Sequence, residues 1–180
     1  MKKLAGLTML ALLLATTALA VPAAEVVLVT STTLHAGVYQ PTVDDTRDSF
    51  GSTWWDVGIR YKLGEKGFAS AAVDLSWIQG EKTVDDVEQK ARMIPLTYRY
   101  MITPETGSRT KLSYGLGAGA YFCKMEGGDE SDSETKFGAD VRFAVDISEK
   151  LNVGVGYTWV FGKMQGFKLS GLDVALGYTF

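Results

Sequence analysis

The chain has 180 residues with 18 basic and 21 acidic side chains, enough length for one domain and too acidic a balance for a nucleic-acid partner. Its single cysteine, Cys123, excludes an internal disulfide and offers no zinc-type spacing, so it is read as a small residue inside a folded wall. No stretch beyond the amino terminus reaches the roughly twenty consecutive apolar residues that a spanning helix needs, so a chain that enters a membrane does so as strands. Lys2 and Lys3, an apolar run over residues 4–14 and the Ala18-x-Ala20 spacing mark residues 1–20 as a secretory signal peptide. Cleavage after Ala20 is expected, although Val21-Pro22-Ala23 also offers small residues. The mature chain then carries 16 basic against 21 acidic residues, a formal charge of −5.

Residues 26–29 are apolar without alternation, and residues 30–33 lead into a first strand with Leu34, Ala36 and Val38 on one face and His35, Gly37 and Tyr39 on the other. Residues 41–53 read as a polar loop bounded by proline and glycine. In the second strand Trp55, Val57, Ile59, Tyr61 and Leu63 alternate with Trp54, Asp56, Gly58, Arg60 and Lys62, a period of two that a helix would scatter. A tight turn is expected at residues 64–67. The third strand sets Ala69, Ala71, Val73, Leu75 and Trp77 against Ser70, Ala72, Asp74 and Ser76, and residues 80–90 follow as a charged loop.

In the fourth strand Ile94, Leu96, Tyr98, Tyr100 and Ile102 oppose Met93, Pro95, Thr97, Arg99 and Met101. Pro95, with no N–H to donate, is expected to mark a bulge or a missing ladder bond. Residues 103–109 turn the chain into a fifth strand, with Leu112, Tyr114, Leu116, Ala118, Ala120 and Phe122 against Lys111, Ser113, Gly115, Gly117, Gly119 and Tyr121. Residues 124–136 are the most acidic loop. The sixth strand places Phe137, Ala139, Val141, Phe143, Val145 and Ile147 opposite Gly138, Asp140, Arg142, Ala144 and Asp146, and residues 148–150 form the shortest turn. Leu151, Val153, Val155, Tyr157, Trp159 and Phe161 then alternate with Asn152, Gly154, Gly156, Thr158 and Val160. After a connection over residues 162–168, the last strand has Leu172, Val174, Leu176, Tyr178 and Phe180 opposite Gly171, Asp173, Ala175, Gly177 and Thr179.

Eight strands of about ten to twelve residues, joined alternately by short turns and longer polar connections, match a transmembrane β-barrel over residues 25–180. Asp56, Arg60, Asp74, Arg99, Asp140, Arg142 and Asp173 all lie opposite the Val and Leu face. The apolar face therefore meets lipid and the charged face lines the lumen. Outward aromatics sort into two girdles: Trp55, Trp77, Phe122, Phe137, Trp159 and Phe161 at the long-loop end, and Tyr61, Tyr100, Tyr114, Tyr178 and Phe180 at the short-turn end. Closure removes the unpaired edges that lipid cannot satisfy, and an even strand number with short inner turns puts both termini in the periplasm. Eight strands enclose little more than side chains, so a plugged lumen is expected. In it Asp56, Asp74, Asp140, Asp146 and Asp173 balance Arg60, Lys62, Arg99, Lys111 and Arg142. Counting through residues 64–67 puts Asp56 close to Asp74, a repulsive pair that Arg99 or Arg142 is expected to bridge.

Across roughly residues 30–180 this pattern resembles the small eight-stranded outer-membrane β-barrel family that includes OmpA-type and OmpX-type proteins. The closing alternation through Tyr178 and Phe180 resembles the signal by which such chains are recognised for outer-membrane assembly. The resemblance implies an all-β up-and-down barrel in the outer membrane of a Gram-negative envelope, a monomer in contact with lipid and lipopolysaccharide, with no cofactor or metal. Because it is architectural, it speaks for fold and location more than for activity. Unlike in OmpA, no peptidoglycan-binding domain is expected after Phe180.

Small barrels also include lipid A palmitoyltransferases and deacylases. His35 would need Ser113, Asp74 or Asp173 beside it to build a hydrolase triad. No His-x-Ser motif or amphipathic amino-terminal helix accompanies it, so it is read as an inward polar side chain. The acidic residues over 126–134 could collect divalent cations but lack calcium-loop spacing and read as a solvated loop. A porin-like conduit resembling OmpW would want an apolar lumen. The expected function is therefore structural or surface-interacting, with polar loops at the cell surface; the alternatives are such a conduit and, behind it, a lipid A-modifying enzyme.

Overall fold

The alternating segments become eight strands that pair antiparallel with their chain neighbours and close, the last strand against the first. The computed structural model describes residues 30–105, 110–128 and 130–180. The expected signal peptide, and residues 106–109 of the expected turn at 103–109, lie outside the described residues. The strands are β1 (Ser31–Pro41), β2 (Trp54–Lys66), β3 (Ala69–Val84), β4 (Val87–Ile102), β5 (Leu112–Gly127), β6 (Glu130–Asp146), β7 (Leu151–Val160) and β8 (Gly171–Thr179). At the closing seam Leu34 faces Tyr178 and Val38 faces Val174. Phe180 N–H donates to the Thr32 carbonyl at 2.9 Å, which ties the last residue to the start of β1.

Among the described residues thirty large apolar side chains are exposed, including Leu34, Val57, Leu116, Val155, Val174 and Leu176. At the intervening positions Asp56, Asp74, Arg99, Asp140, Arg142 and Asp173 are buried and Arg60 is half-buried. In water such a shell would be an aggregation surface; against lipid it is the stable arrangement. The outward aromatics lie where the alternation puts them. Trp55 stacks on Trp77 with centroids 6.3 Å apart, and Tyr178 meets Phe180 edge-on at 5.0 Å.

Three features differ from the sequence expectation, and a fourth refines it. First, β3 to β6 are longer than ten to twelve residues, at 16 or 17 residues each. Residues 80–90 and 124–136 are not loops: pairing continues to Val84 opposite Val87 and to Gly127 opposite Glu130. Asp85 and Asp86, at φ 49° and 63°, supply the positive-φ pair on which a two-residue hairpin turns.

Second, residues 41–53 hold a short helix, α1 (Asp44–Phe50), with Asp44 and Asp45 in its first turn. It ends at Gly51, whose φ of 86° a side chain would strain. Third, β2 continues through residues 64–66, with a register shift between Lys62 and Gly64. Fourth, Pro95 marks a missing stretch of ladder as expected, but in one ladder only. The pairing of β3 with β4 is interrupted between Leu75–Leu96 and Ile78–Met93, while Pro95 still sits opposite Tyr121 on β5.

Candidate functional site

Two closures occupy the lumen, one ionic and one apolar. In the ionic layer Arg60 lies directly across the β2–β3 ladder from Asp74, and its Nε donates to Asp74 Oδ2 at 2.9 Å. Arg99 enters from β4 and binds two carboxylates on opposite sides. Its Nη1 is 2.6 Å from Asp74 Oδ2, and its Nη2 and Nε are 2.8 and 3.0 Å from Asp140 Oδ1. Arg142 on β6 holds Asp173 on β8. Gly117 faces Asp140 across the β5–β6 ladder, where a Cβ would meet the Asp140 carboxylate, so glycine there makes the room this acid occupies.

The expected bridge between Asp56 and Asp74 is corrected in detail. Arg99 joins Asp74 to Asp140, and among the described residues Asp56 has no ion pair with an arginine. The cause is register: with the β2 irregularity beyond Lys62, Asp56 falls opposite Ile78 and Arg60 falls opposite Asp74. His35 lies between the two acids instead, its Nε2 3.9 Å from Asp56 Oδ1 and from Asp74 Oδ1. The expected ten-charge balance also contracts. Lys62 pairs with Glu65, while Lys111 and Asp146 line an open vestibule of about 490 Å³ at the short-turn end. Four acids with Arg99 and Arg142 surround a cavity of about 30 Å³, room for roughly two water molecules, and Arg60 joins this layer through Asp74.

His35 Nε2 is 2.9 Å from Ser76 Oγ, and Ser76 Oγ is 3.3 Å from Asp74 Oδ1. A hydroxyl has one proton to give. If Ser76 gives it to Asp74, His35 must donate from Nε2. A hydrolase needs the reverse, with imidazole accepting from serine and its other nitrogen donating to a carboxylate. His35 Nδ1 has no hydrogen-bond partner among the described residues. Ser113, the serine considered from sequence, instead shares a hydrogen bond with Thr103 at 2.7 Å.

Toward the long-connection end the inward positions turn apolar. Tyr39, Trp54, Ile78, Met93, Tyr121, Cys123 and Met125 form one buried cluster with Val160, Met164, Leu169 and Phe50. Tyr39 and Trp54 pack at 5.8 Å, and the Tyr39 hydroxyl donates to the Leu169 carbonyl. Gly80 lies under the Trp54 indole, which a Cβ there would strike. The roof is α1 together with the connection after β7. Phe50 packs edge-on against Phe167 at 5.1 Å, Thr46 Oγ1 donates to the Lys168 carbonyl at 2.8 Å, and Lys82 Nζ donates to the Asp48 carbonyl at 2.8 Å. Sequence parity placed Tyr39, Trp54, Met93 and Tyr121 inward but did not join them into a plug. The signal available was the run of inward aromatics and methionines on adjacent strands.

Beyond this plug the ladders of β3 to β6 run on as a four-stranded sheet. β4 and β5 stay paired out to Gln89 opposite Gly127. Its surface carries exposed ion pairs. Glu88 raises the Lys90 ammonium above its usual value through a hydrogen bond, and Lys124 holds Glu126 below the usual carboxylate range.

Residues 11–180 match the family model described as "Outer membrane protein beta-barrel domain". Neisserial surface protein A is similar in structure, with a TM-score of 0.63 at 16% identity, covering 84% of this chain and 97% of that one. So is Ail, the attachment invasion locus protein of Yersinia pestis, in its complex with the heparin analogue sucrose octasulfate: TM-score 0.52, 15% identity, 84% and 99% covered. A major outer membrane protein of Thermus thermophilus gives 0.51 at 11% identity, with 84% and 100% covered. No curated protein matches the chain.

Proposed function

The chain belongs to the outer membrane protein beta-barrel domain family, and from that premise we propose that it is a surface-interaction protein whose closed barrel holds a protruding sheet outside the cell. As a member of that family it is an outer-membrane protein, embedded in lipid and lipopolysaccharide. The observation that carries the reading is the continuation of β3 to β6 past the outward Trp77 and Phe122. From Trp77 to Val84, at about 3.4 Å per residue, this is on the order of 20 Å of ordered sheet.

The aromatic girdles mark the two membrane boundaries, the short turns and both termini face the periplasm, and the last strand, with Phe180, is the part that assembly machinery engages. The barrel works as a monomer. Both lumen closures speak against a conduit, and the His35–Ser76–Asp74 order speaks against a hydrolase.

Residues 41–53, 80–90 and 124–136 together hold twelve acidic and five basic side chains. Ail was solved with a polysulfated ligand; here the acidic excess favours a cationic partner, since like-charged surfaces repel. Cells displaying the protein are expected to be retained on poly-lysine-coated beads and not on heparin-coated beads, and trimming residues 81–90 and 125–132 to short turns should abolish that retention. Retention that survives the trimming would remove the sheet from the function.

A further inference from the structure

Alternation in β4 puts Arg92 on the outward face with Ile94 and Leu96, and in β5 it puts Lys124 there with Phe122. The register sets Arg92 and Lys124 directly opposite each other, in a row that runs from Gln79 on β3 to Ser133 on β6. That row, the first beyond the apolar belt, carries two cations and no acid. The next row outward alternates as Glu81, Lys90 and Glu126, with Lys90 paired to Glu88 and Glu126 reaching back to Lys124. Two like charges directly across an antiparallel pair repel unless an anion lies between them.

Two further observations fall at the same spot. The Arg92 guanidinium lies 4.6 Å over the Trp77 ring, a cation–π contact that holds it at the edge of the apolar belt. The Trp77 indole N–H is shielded and has no acceptor among the described residues. Lys124 gives one hydrogen to Glu126, which leaves others free on a group that has three.

We propose that Arg92, held over the Trp77 ring, and Lys124 bind the phosphate of an outer-leaflet glycolipid headgroup. A phosphate accepts two parallel hydrogen bonds from a guanidinium, and its remaining oxygens suit the ammonium. The lipid supplies what a free anion lacks, acyl chains that lie against Ile94, Leu96 and Phe122. The assignment rests on the orientation given under Proposed function, which puts this row in the outer leaflet.

The test titrates the purified full barrel in detergent micelles with hexa-acylated bisphosphoryl lipid A, following the temperature at which the compact electrophoretic form is lost. Lipid A should raise that temperature for the wild type. Arg92→Gln with Lys124→Gln should need on the order of ten-fold more lipid for half the shift, while Lys163→Gln, outside this row, should behave as the wild type does. An unchanged response of the double variant would overturn the site. So would an equal shift from inorganic phosphate, or from lipid A stripped of its phosphates. Orientation is read separately by labelling Ser133→Cys on intact cells with a membrane-impermeant maleimide. An unlabelled cysteine overturns the orientation and the glycolipid with it, whereas labelling together with a failed titration overturns the glycolipid site alone.

Discussion

The middle and the upper lumen of this barrel are walled by the same eight strands, yet they are closed by opposite chemistries. The middle layer is buried charge: Arg60, Arg99 and Arg142 hold Asp74, Asp140 and Asp173. The upper layer is an apolar core of aromatic and methionine side chains roofed by α1 and the connection after β7. An apolar filling is favourable only where a roof keeps water out, and α1 provides one. Below the ionic layer lies an open vestibule of about 490 Å³, so groups there meet water on one side and protein on the other, where paired charges are at home. The two closures also differ in robustness. Apolar packing degrades gradually as atoms are removed, whereas a buried ion pair that loses one member leaves an uncompensated charge.

That contrast can be broken by substitution, and the largest expected effect is at Arg99. Arg99→Ala strands Asp74 and Asp140 together without their shared cation, at a cost of about 3–5 kcal/mol. Urea unfolding of the refolded barrel, followed by tryptophan fluorescence, should show it. Arg99→Met combined with Asp140→Leu should recover part of the loss, because removing both members of the pair removes the orphan charge; no recovery would mean that packing, not charge, is what Arg99 provides.

Met93→Ala in the fully buried plug should cost about 3 kcal/mol, and the barrel should remain non-conducting in a planar bilayer because the ionic layer below still closes it. Sustained single-channel currents from this variant would assign the closure to the plug alone. The smallest effect belongs to Asp56→Asn, which removes the acid without an arginine partner and should change the unfolding free energy by less than about 1 kcal/mol. A loss there as large as that for Asp74→Asn would equalise two acids that the geometry separates.

The barrel was legible in the sequence, and so were its faces. Each strand between the aromatic belts alternates because its two sides meet different solvents, lipid outside and polar side chains inside; Val174 and Asp173, adjacent in the chain, already state the difference. The same rule explains the missed hairpin extensions. Past Trp77 and Phe122 the outward positions turn polar, so Glu81 to Val84 and Glu130 to Lys136 lose the hydrophobic period while the backbone ladder continues unchanged. The helix over Asp44–Phe50 was hidden for a related reason: seven residues are too short for a helical stripe, and only Thr46 and Phe50 are buried from it.

By itself, then, the sequence determined how many strands there are, which side chains point into the lumen and that the closed barrel must sit in a membrane, because these follow from local alternation and charge. Tertiary structure alone decided which acid meets which base. That choice depends on register, and register was set by an irregularity after Lys62 and by the pairing across the β1–β8 seam, neither of which is encoded in the period of any one strand. It also decided that Tyr39, Trp54 and Met93 form a dry plug, since side chains facing a lumen become a core only when a roof, here α1 and the connection after β7, shuts out the water.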